Sequence, residues 1–529
     1  MTPELPDYVR ALLDPAAYPH RPAQLELRQT HISYVFMAGD VVYKAKKPVD
    51  FGFIDQRTLA QRERYCHAEV TLNARLAPDV YLGVVPIART PDGRIAVEAA
   101  GEVIEWAVKM RRLPDERTLD RVLAAGAAPP ALVEQLAQRL IAFHEAAAVV
   151  PNDPAFAGGA AERAWWAREY GEAAGFIGQT WRAEDAAATR AFFEHTIEAE
   201  QALFDERLAA GRVVEGHGDL QAKHVYLLDP PSGITIVDCI EFTDWYHFRY
   251  GDVGYDVAFL AMDLEASGYA ALGDELAGRY LAAAHDETLG VLQPLHRAFR
   301  AFVRGKVESI GAAATELPAE ERARLAASAA RYFALAAAYA QRRAAPAVVL
   351  LCGLPATGKS TVGGTLAARI GAAYLSSDAV RKAAAGLDPR ARVGAEFRGG
   401  LYAPDVTERT YAELRARTAQ HLATGRPVVV DAMHGRASER AALLAVASGA
   451  GVPALIVELR LDDATAAERI AARATDPLRT SDATWEVYAA QRDRFERPAV
   501  AEGALVTLDA ARPPADLARA IAAALPPAR

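Results

Sequence analysis

The stretch 347–361 constrains this chain more than any other. It reads Ala-Val-Val-Leu-Leu-Cys-Gly-Leu-Pro-Ala-Thr-Gly-Lys-Ser-Thr. A continuous apolar run over 347–352 predicts a buried parallel strand. Residues 353–360 then satisfy G-x-x-x-x-G-K-[ST] at every fixed position, and 361–370 predicts the helix that must follow. Gly353 and Gly358 permit a tight loop, through Leu354, Pro355, Ala356 and Thr357, whose N–H groups turn inward toward phosphate oxygens. The helix beginning near Thr361 adds partial positive charge at its N-terminus. Lys359 is placed to reach β- and γ-phosphates, and Ser360 to offer its hydroxyl to Mg²⁺. Such a loop implies a nucleotide. It does not say what receives the phosphate.

The rest of the chain sets the context. At 529 residues it exceeds one ordinary core, so about two to four domains are expected. A net charge of -9 argues against a general nucleic-acid binder, which needs a basic face. The three cysteines, Cys66, Cys239 and Cys352, are far apart and form no C-x-x-C, which points to a reducing compartment without disulfides or zinc. The N-terminal residues lack a basic region followed by an apolar one. No apolar run approaches the ~20 residues that span a bilayer. A cytoplasmic protein without membrane partners is expected.

Ahead of the loop, strand character over 25–36 and 41–46, with a turn at Ala38-Gly39-Asp40, predicts a hairpin. Val41-Val42-Tyr43-Lys44 fits the V-A-I-K pattern of a kinase strand whose lysine holds phosphates. Val42, Lys44 and Lys46 alternate onto one face. A polar helix over 57–76 carries Glu69, with Glu63 as the other glutamate able to fix that lysine. Strands over 80–87 and 103–110 follow, then a hinge from Met110 to Pro114. Two helices fill 119–148, broken at Pro129-Pro130, and helical patterning returns over 162–170 and 183–210. Trp165-Trp166 reads as packing. His217-Gly218-Asp219, four residues and then His224 match the catalytic loop H-R-D-x-x-x-x-N, with His224 in the place of Asn. An apolar strand over 234–237 ends at Asp238. Asp219 would orient the substrate hydroxyl or accept its proton, and Asp238 would bind Mg²⁺. Each fragment has a plainer reading: a solvated strand-edge lysine, a glutamate paired with a surface arginine. The order of the fragments favours the kinase-like one.

The first 340 residues or so resemble the aminoglycoside phosphotransferase family. The likeness rests on residues 41–44, His217-Gly218-Asp219, and Asp238 followed by Glu241-Phe242 and Asp252…Asp256-Val257-Ala258. It implies a bilobal protein-kinase-like domain over 1–345, with a helical C-lobe and ATP in the cleft. By the same resemblance Lys44 binds phosphates, Glu69 supports it, the Met110 hinge borders the nucleotide, His217 and Asp219 belong to the catalytic loop, and Asp238 is a metal ligand. There are two departures. The phosphate-covering turn, Thr30-His31-Ile32-Ser33, has no glycine. His224 would have to ligate metal through a neutral imidazole.

From 346 to 529 strands and helices alternate, predicting a three-layer αβα parallel sheet. A strand over 373–376 leads into Ser377-Asp378, and Arg381 follows one helical turn on. A carboxylate at a strand's C-terminal end faces the ligand crevice of such sheets. Asp378 can take a hydroxyl proton, and Arg381 can hold acceptor or phosphate. The alternative is an N-cap aspartate beside a solvated arginine. A second buried strand ends in Asp431, where a carboxylate would hold the Mg²⁺ shell. Glu468, Arg469, Arg473 and Arg479 suggest an arginine-bearing lid. The domain resembles small-molecule kinases of the gluconate kinase, polynucleotide 5′-kinase and zeta-toxin type, which implies that Asp378 contacts the acceptor hydroxyl and that the lid arginines contact phosphates. An acceptor pocket is expected within 382–420, where Arg398, Tyr402 and Arg409 could line it or merely coat helices.

The whole chain resembles the bacterial bifunctional aminoglycoside phosphotransferase/ATP-binding family. The resemblance implies an ATP- and Mg²⁺-dependent phosphotransferase that acts on a hydroxyl of a small sugar-, aminoglycoside- or nucleoside-like molecule, with two ATP sites. Two other expectations stand beside it: a P-loop kinase regulated by an inactive kinase-like sensor, and a toxin-like kinase acting on nucleotide sugars or nucleic-acid ends.

Overall fold

The computed structural model describes residues 5–52, 54–243, 246–315, 317–388, 401, 403–473 and 484–525. Packing divides the chain into two compact units. One draws on residues 1–129, 143–158 and 207–256, the other on 130–142, 159–206 and 257–529.

The first unit is built on an antiparallel sheet of six strands: β1 (Leu25–Gln29), β2 (Ser33–Ala38), β3 (Val41–Lys46), β4 (Tyr81–Arg89), β5 (Ile95–Val97) and β6 (Glu102–Arg111). Their order is β1-β2-β3-β6-β4-β5. The strand character expected over 25–36 is interrupted. The Thr30 hydroxyl accepts the N–H groups of Ile32 and Ser33 and turns the chain between β1 and β2. The two-residue period of β3 sorts its side chains. Tyr43 and Ala45 join a core with Phe36, Ile87 and Ala107, which leaves Val42, Lys44 and Lys46 on the opposite face. Helix Leu59–Asn73 starts from a capping box between Thr58 and Gln61, which fixes its N-terminus. Farther on, β7 (Val213–Glu215) pairs with β10 (Tyr250–Asp252), and β8 (Val225–Leu227) pairs with β9 (Ile234–Ile236). The β8–β9 ladder brings His224 level with Val237, whose N–H donates to the His224 carbonyl at 3.0 Å.

The second unit holds a wholly parallel sheet of β11 (Val348–Cys352), β12 (Ala373–Ser376), β13 (Val428–Asp431), β14 (Ala454–Arg460) and β15 (Leu505–Asp509), in the order β12-β13-β11-β14-β15. Every residue of β11 is buried, as a central parallel strand requires. Val348, Leu350 and Cys352 pack with Tyr411, Leu414 and Leu443 of helices Pro404–Ala423 and Ala437–Gly449. On the other face Leu351 lies against Gly363 of helix Lys359–Ile370. The three-layer αβα expectation is met.

Helices Ala270–Ala284, Leu289–Ala313 and Ala319–Ala340 belong to the same unit. Their aromatic core stacks Trp181 on Phe333 with centroids 4.5 Å apart and Trp166 on Phe193 at 3.9 Å. Helix Ala270–Ala284 meets helix Lys359–Ile370 through small residues. A Cβ added at Gly364 would lie 2.3 Å from the Gly278 carbonyl oxygen, and one added at Gly278 would lie 2.3 Å from the Thr365 N–H nitrogen. Buried acids add ion pairs within this unit. Asp274 accepts from Arg297 and Arg369, each at 2.7 Å, and Glu200 accepts from Arg343 and Arg426. Among the described residues no helix is long and apolar enough to cross a membrane.

Candidate active sites

The loop between β11 and helix Lys359–Ile370 turns on residues of positive φ: Gly353 at 151°, Ala356 at 67° and Gly358 at 80°. Gly353 is also required sterically, since a Cβ there would come within 2.7 Å of the Leu459 carbonyl oxygen. Thr357 Oγ1 donates to the Leu354 carbonyl at 2.9 Å. Lys359 Nζ donates to the carbonyls of Gly353 and Leu354 at 2.8 and 2.9 Å. The lysine thus arches back over the loop that includes Pro355. Thr361 lies in the first turn of the helix, beside Lys359 and Ser360.

Ser360 Oγ donates to Oδ2 of Asp431 at 2.7 Å. Register explains the meeting. Asp431 ends β13 level with Leu351 and Ser376, at the C-terminal edge where the helix begins. The Tyr374 hydroxyl donates to the same Asp431 oxygen at 2.7 Å. A hydroxyl and a carboxylate in this arrangement are hard oxygen donors suited to Mg²⁺, which keeps several waters and needs few protein ligands. Asp378 stands in the first turn of helix Ser377–Ala384, and Arg381 Nη1 lies 3.6 Å from its Oδ1. Burial raises the Asp378 carboxyl above its usual range. Arg381 opposes the shift and Asp431 adds to it. A carboxyl so poised is matched to proton transfer. Arg469 donates to the carbonyls of Ala356 and Ala510, so it ties the phosphate loop to the end of β15. Arg473 closes helix Asp463–Arg473, but its side chain lies outside the described residues, as do Arg479, Arg398 and Tyr402. Arg409 pairs with Asp405 on the surface of its own helix.

In the first unit the expected groups converge. Lys44 Nζ lies 2.9 Å from Oε1 of Glu69 and 2.9 Å from Oδ1 of Asp238. The Lys44 charge, the largest influence, holds the Asp238 carboxyl far below the usual carboxylate range. Asp238 has a φ of 69°. Its N–H donates to the Tyr81 hydroxyl at 3.2 Å, and the Cys239 N–H donates to Asn73 Oδ1 at 2.8 Å. Met110 lies in β6 opposite Val42 and packs beside Tyr81 and Val237.

The His217–Asp219 loop is anchored from below. Asp256 accepts the N–H groups of His217 and Gly218 at 2.7 and 2.9 Å and lies 3.2 Å from His144 Nε2. Burial works to raise the Asp256 carboxyl, but the His144 hydrogen bond and these N–H donors hold it well below the usual range. His217 Nε2 donates to the Val237 carbonyl at 3.0 Å, and its Nδ1 accepts the Asp219 N–H at 3.2 Å. Asp219 itself accepts from Gln221 Nε2 at 2.6 Å. His224 Nδ1 faces the Asp219 carbonyl at 2.8 Å, which can only accept, so that nitrogen carries the proton. Its Nε2 lies 3.5 Å from Asp238 Oδ2. A neutral imidazole would offer that nitrogen, with the carboxylate, to a cation, although Mg²⁺ prefers oxygen. Among the described residues no group of three or more His, Cys, Asp or Glu side chains gathers as a metal site.

Two family models match the chain. The phosphotransferase enzyme family covers residues 55–301 and an AAA domain covers 348–498. Uncharacterised proteins of Mycobacterium tuberculosis and Mycobacterium bovis are each 32% identical over 470 residues, spanning 88% of this chain and 89% of theirs. The chain belongs to the family of these mycobacterial proteins and carries a phosphotransferase-family domain over 55–301. The phosphotransferase is an ATP-dependent kinase. Among solved structures, it is similar to a gluconokinase from Sinorhizobium meliloti at 24% identity, over 34% of this chain and 93% of that one, with a TM-score of 0.26. It is also similar to a choline kinase from Cryptosporidium parvum at 11% identity, over 62% and 94%, with a TM-score of 0.37.

Several site groups of the phosphotransferase escape sequence reasoning. Tyr374 looks like an ordinary strand aromatic, and only the sheet register reveals its reach to Asp431. Asn73 and Tyr81 hold the Asp238 backbone but carry no motif. Lys46 is a face-mate of Lys44 and Glu241 lies within the family pattern, and nothing in the sequence joins them. His434, three residues past Asp431, is buried beside the phosphate loop. Burial pushes its imidazole down to about 4, and its Nδ1 lies 2.9 Å from the Leu351 carbonyl. A neutral, locked histidine of this kind supports the loop rather than titrating with it.

Proposed function

We propose that this phosphotransferase moves the γ-phosphate of ATP, with Mg²⁺, onto a hydroxyl of a small sugar-, aminoglycoside- or nucleoside-like molecule, using two nucleotide sites on one chain. The observation that carries the reading is the meeting of Ser360 and Asp431 at 2.7 Å beneath the phosphate loop, with Asp378 and Arg381 in the neighbouring helix turn. Lys359 exchanges the Gly353 and Leu354 carbonyls for phosphate oxygens when nucleotide binds. Asp378 positions the acceptor hydroxyl and takes its proton, while Lys359 and Arg381 offset charge that builds on the transferring group. Ser360 and Asp431 in one site, and Asp238 with His224 in the other, are the groups that would hold Mg²⁺, which neutralises β- and γ-phosphate charge when bound. In the second site Lys44 binds phosphate, Glu69 steadies it and Asp219 receives the acceptor. Residues 1–345 and 346–529 are the functional halves, and the two family matches fall on either side of that division. Three buried, unbridged cysteines accord with a cytoplasmic location.

The test compares Mg²⁺-ATP consumption by Lys359→Ala and Asp238→Ala variants across sugars, aminoglycosides and nucleosides. Each variant is expected to lose phosphorylation of a different acceptor. A Lys359→Ala protein with unchanged rates on every acceptor would refute the P-loop assignment. His224 in the metal position favours a second reading, a kinase-like sensor that gates the P-loop site. In that case Lys359→Ala removes all turnover and Asp238→Ala only shifts its rate.

A further inference from the structure

Lys46 shares a strand face with Lys44, and assigning the phosphates to Lys44 leaves Lys46 without a task. Its side chain is fully buried, where a lysine is rare unless paired. The ammonium donates to Glu69 Oε2 at 2.8 Å and to Glu241 Oε1. Lys44 takes the other Glu69 oxygen and an oxygen of Asp238. Charges therefore alternate in a row: Glu241, Lys46, Glu69, Lys44, Asp238. Glu241, Lys46 and Glu69 are 5%, 0% and 1% exposed, against 15% at Lys44 and 46% at Asp238. One end is sealed in protein and the other opens to a ligand.

Without Lys46, two neighbouring carboxylates would stand in the sealed end with Lys44 as the nearest cation. The attraction would draw Lys44 inward, away from the open end. The alternative, protonation of one acid, would change the charge of the whole row. With Lys46 present, Glu69 keeps a cation on one oxygen even while Lys44 turns to a phosphate.

We infer that Lys46 is a positioning residue of this nucleotide site: it neutralises Glu241 and one half of Glu69, so that the Lys44 charge stays at the open end for phosphate. The inference rests on the reading of this site as nucleotide-binding.

The test uses the full-length Lys359→Ala protein, whose P-loop site is disabled, and measures Kd for Mg²⁺-ATP and for adenosine by calorimetry. Lys46→Met is expected to weaken Mg²⁺-ATP about tenfold or more and to leave adenosine, which has no phosphate, unchanged. Adding Glu241→Gln removes the carboxylate that Lys46 neutralises and is expected to restore most of the affinity. A merely structural lysine would give neither the discrimination between ligands nor the recovery. Equal losses for both ligands, or a double variant as weak as Lys46→Met, overturn the proposal. If Lys46→Met alone does not fold, the double variant decides. A parental ratio of ATP to adenosine affinity supports the proposal, and a lost ratio overturns it. If the Lys359→Ala protein binds no Mg²⁺-ATP, the nucleotide reading of the site falls and the proposal with it. If it binds and Lys46→Met changes nothing, the proposal falls alone.

Discussion

Tyr374 and Ser360 donate to one oxygen of Asp431, so a single carboxylate is aimed from two sides. The Tyr374 ring reaches it by crossing helix Lys359–Ile370 where Gly363 has no side chain. A Cβ there would lie 2.8 Å from the ring. Tyr374→Phe removes only the hydroxyl. The bond is worth about 1 kcal/mol, so the Mg²⁺ concentration that half-saturates ATP binding is expected to rise roughly fivefold, with ATP affinity in the absence of Mg²⁺ unchanged. A Mg²⁺ titration followed by nucleotide fluorescence reads this directly. Asp378 makes a second prediction at the same scale. Its carboxyl is raised by burial and acts as a base only when ionised. The acid limb of kcat for the P-loop reaction is therefore expected at higher pH than an ordinary carboxylate gives. Arg381 is the strongest of the cations that oppose this rise, ahead of Lys382 and Lys359, so Arg381→Met should push the limb higher still. A limb that stays in place in a pH–rate profile of that variant would remove Asp378 from the base role.

At the scale of elements, the sites are made where a strand ends. Asp431 closes β13, Asp378 opens the helix after β12, and Asp238 follows β9. Helix packing carries its own charges. Helix Val253–Ala266 presents Glu265 to Arg342 at 2.9 Å and to the Tyr339 hydroxyl at 2.8 Å. Burial works to raise Glu265, yet these partners bring it from 4.5 down to about 2. A carboxyl lowered in the folded state adds stability above its unfolded value and loses it as pH falls through the folded one. Glu265 thus contributes up to about 3 kcal/mol near neutrality, lost between about pH 4.5 and 2. Acid titration of Glu265→Gln, followed by circular dichroism, should show a flatter loss of stability across that window. What the sequence reveals about such elements depends on distance along the chain. The phosphate loop is legible because strand, turn and helix are contiguous. Lys44, Glu69, Asp219 and Asp238 are legible because their order matches one motif set. The Lys46–Glu241 pair spans 195 positions and Tyr374–Asp431 spans 57. No local pattern encodes either, since both are products of register and packing. The acceptor pocket is illegible for another reason: specificity is shape, and residue types along a helix do not state it.

At the scale of the molecule, one packing unit takes in both the parallel sheet and helices that precede Pro346. Gly278 and Gly364 let two helices touch backbone to backbone, and Asp274 of the first is held by Arg369 of the second as well as by Arg297. Gly278→Val must displace the Thr365 backbone. Such overpacking costs about 1–3 kcal/mol, so a lower melting temperature is expected, together with weaker nucleotide binding at the P-loop, because Thr365 lies on the helix that begins at Lys359. Calorimetry and ATP titration of the same variant would separate the two effects, and intact ATP affinity at reduced stability would show that the strain does not reach the loop.

That glycine contact has a meaning for how such a chain can be inherited or rebuilt. A recombination event that swapped in the P-loop half of another kinase would bring a phosphate-binding helix chosen against a different neighbour. Unless the incoming helix happened to carry a residue without a side chain at the turn facing Gly278, the graft would be rejected by a clash of single atoms, however well its own catalytic loop was formed. The two halves are therefore expected to travel through descent as a pair.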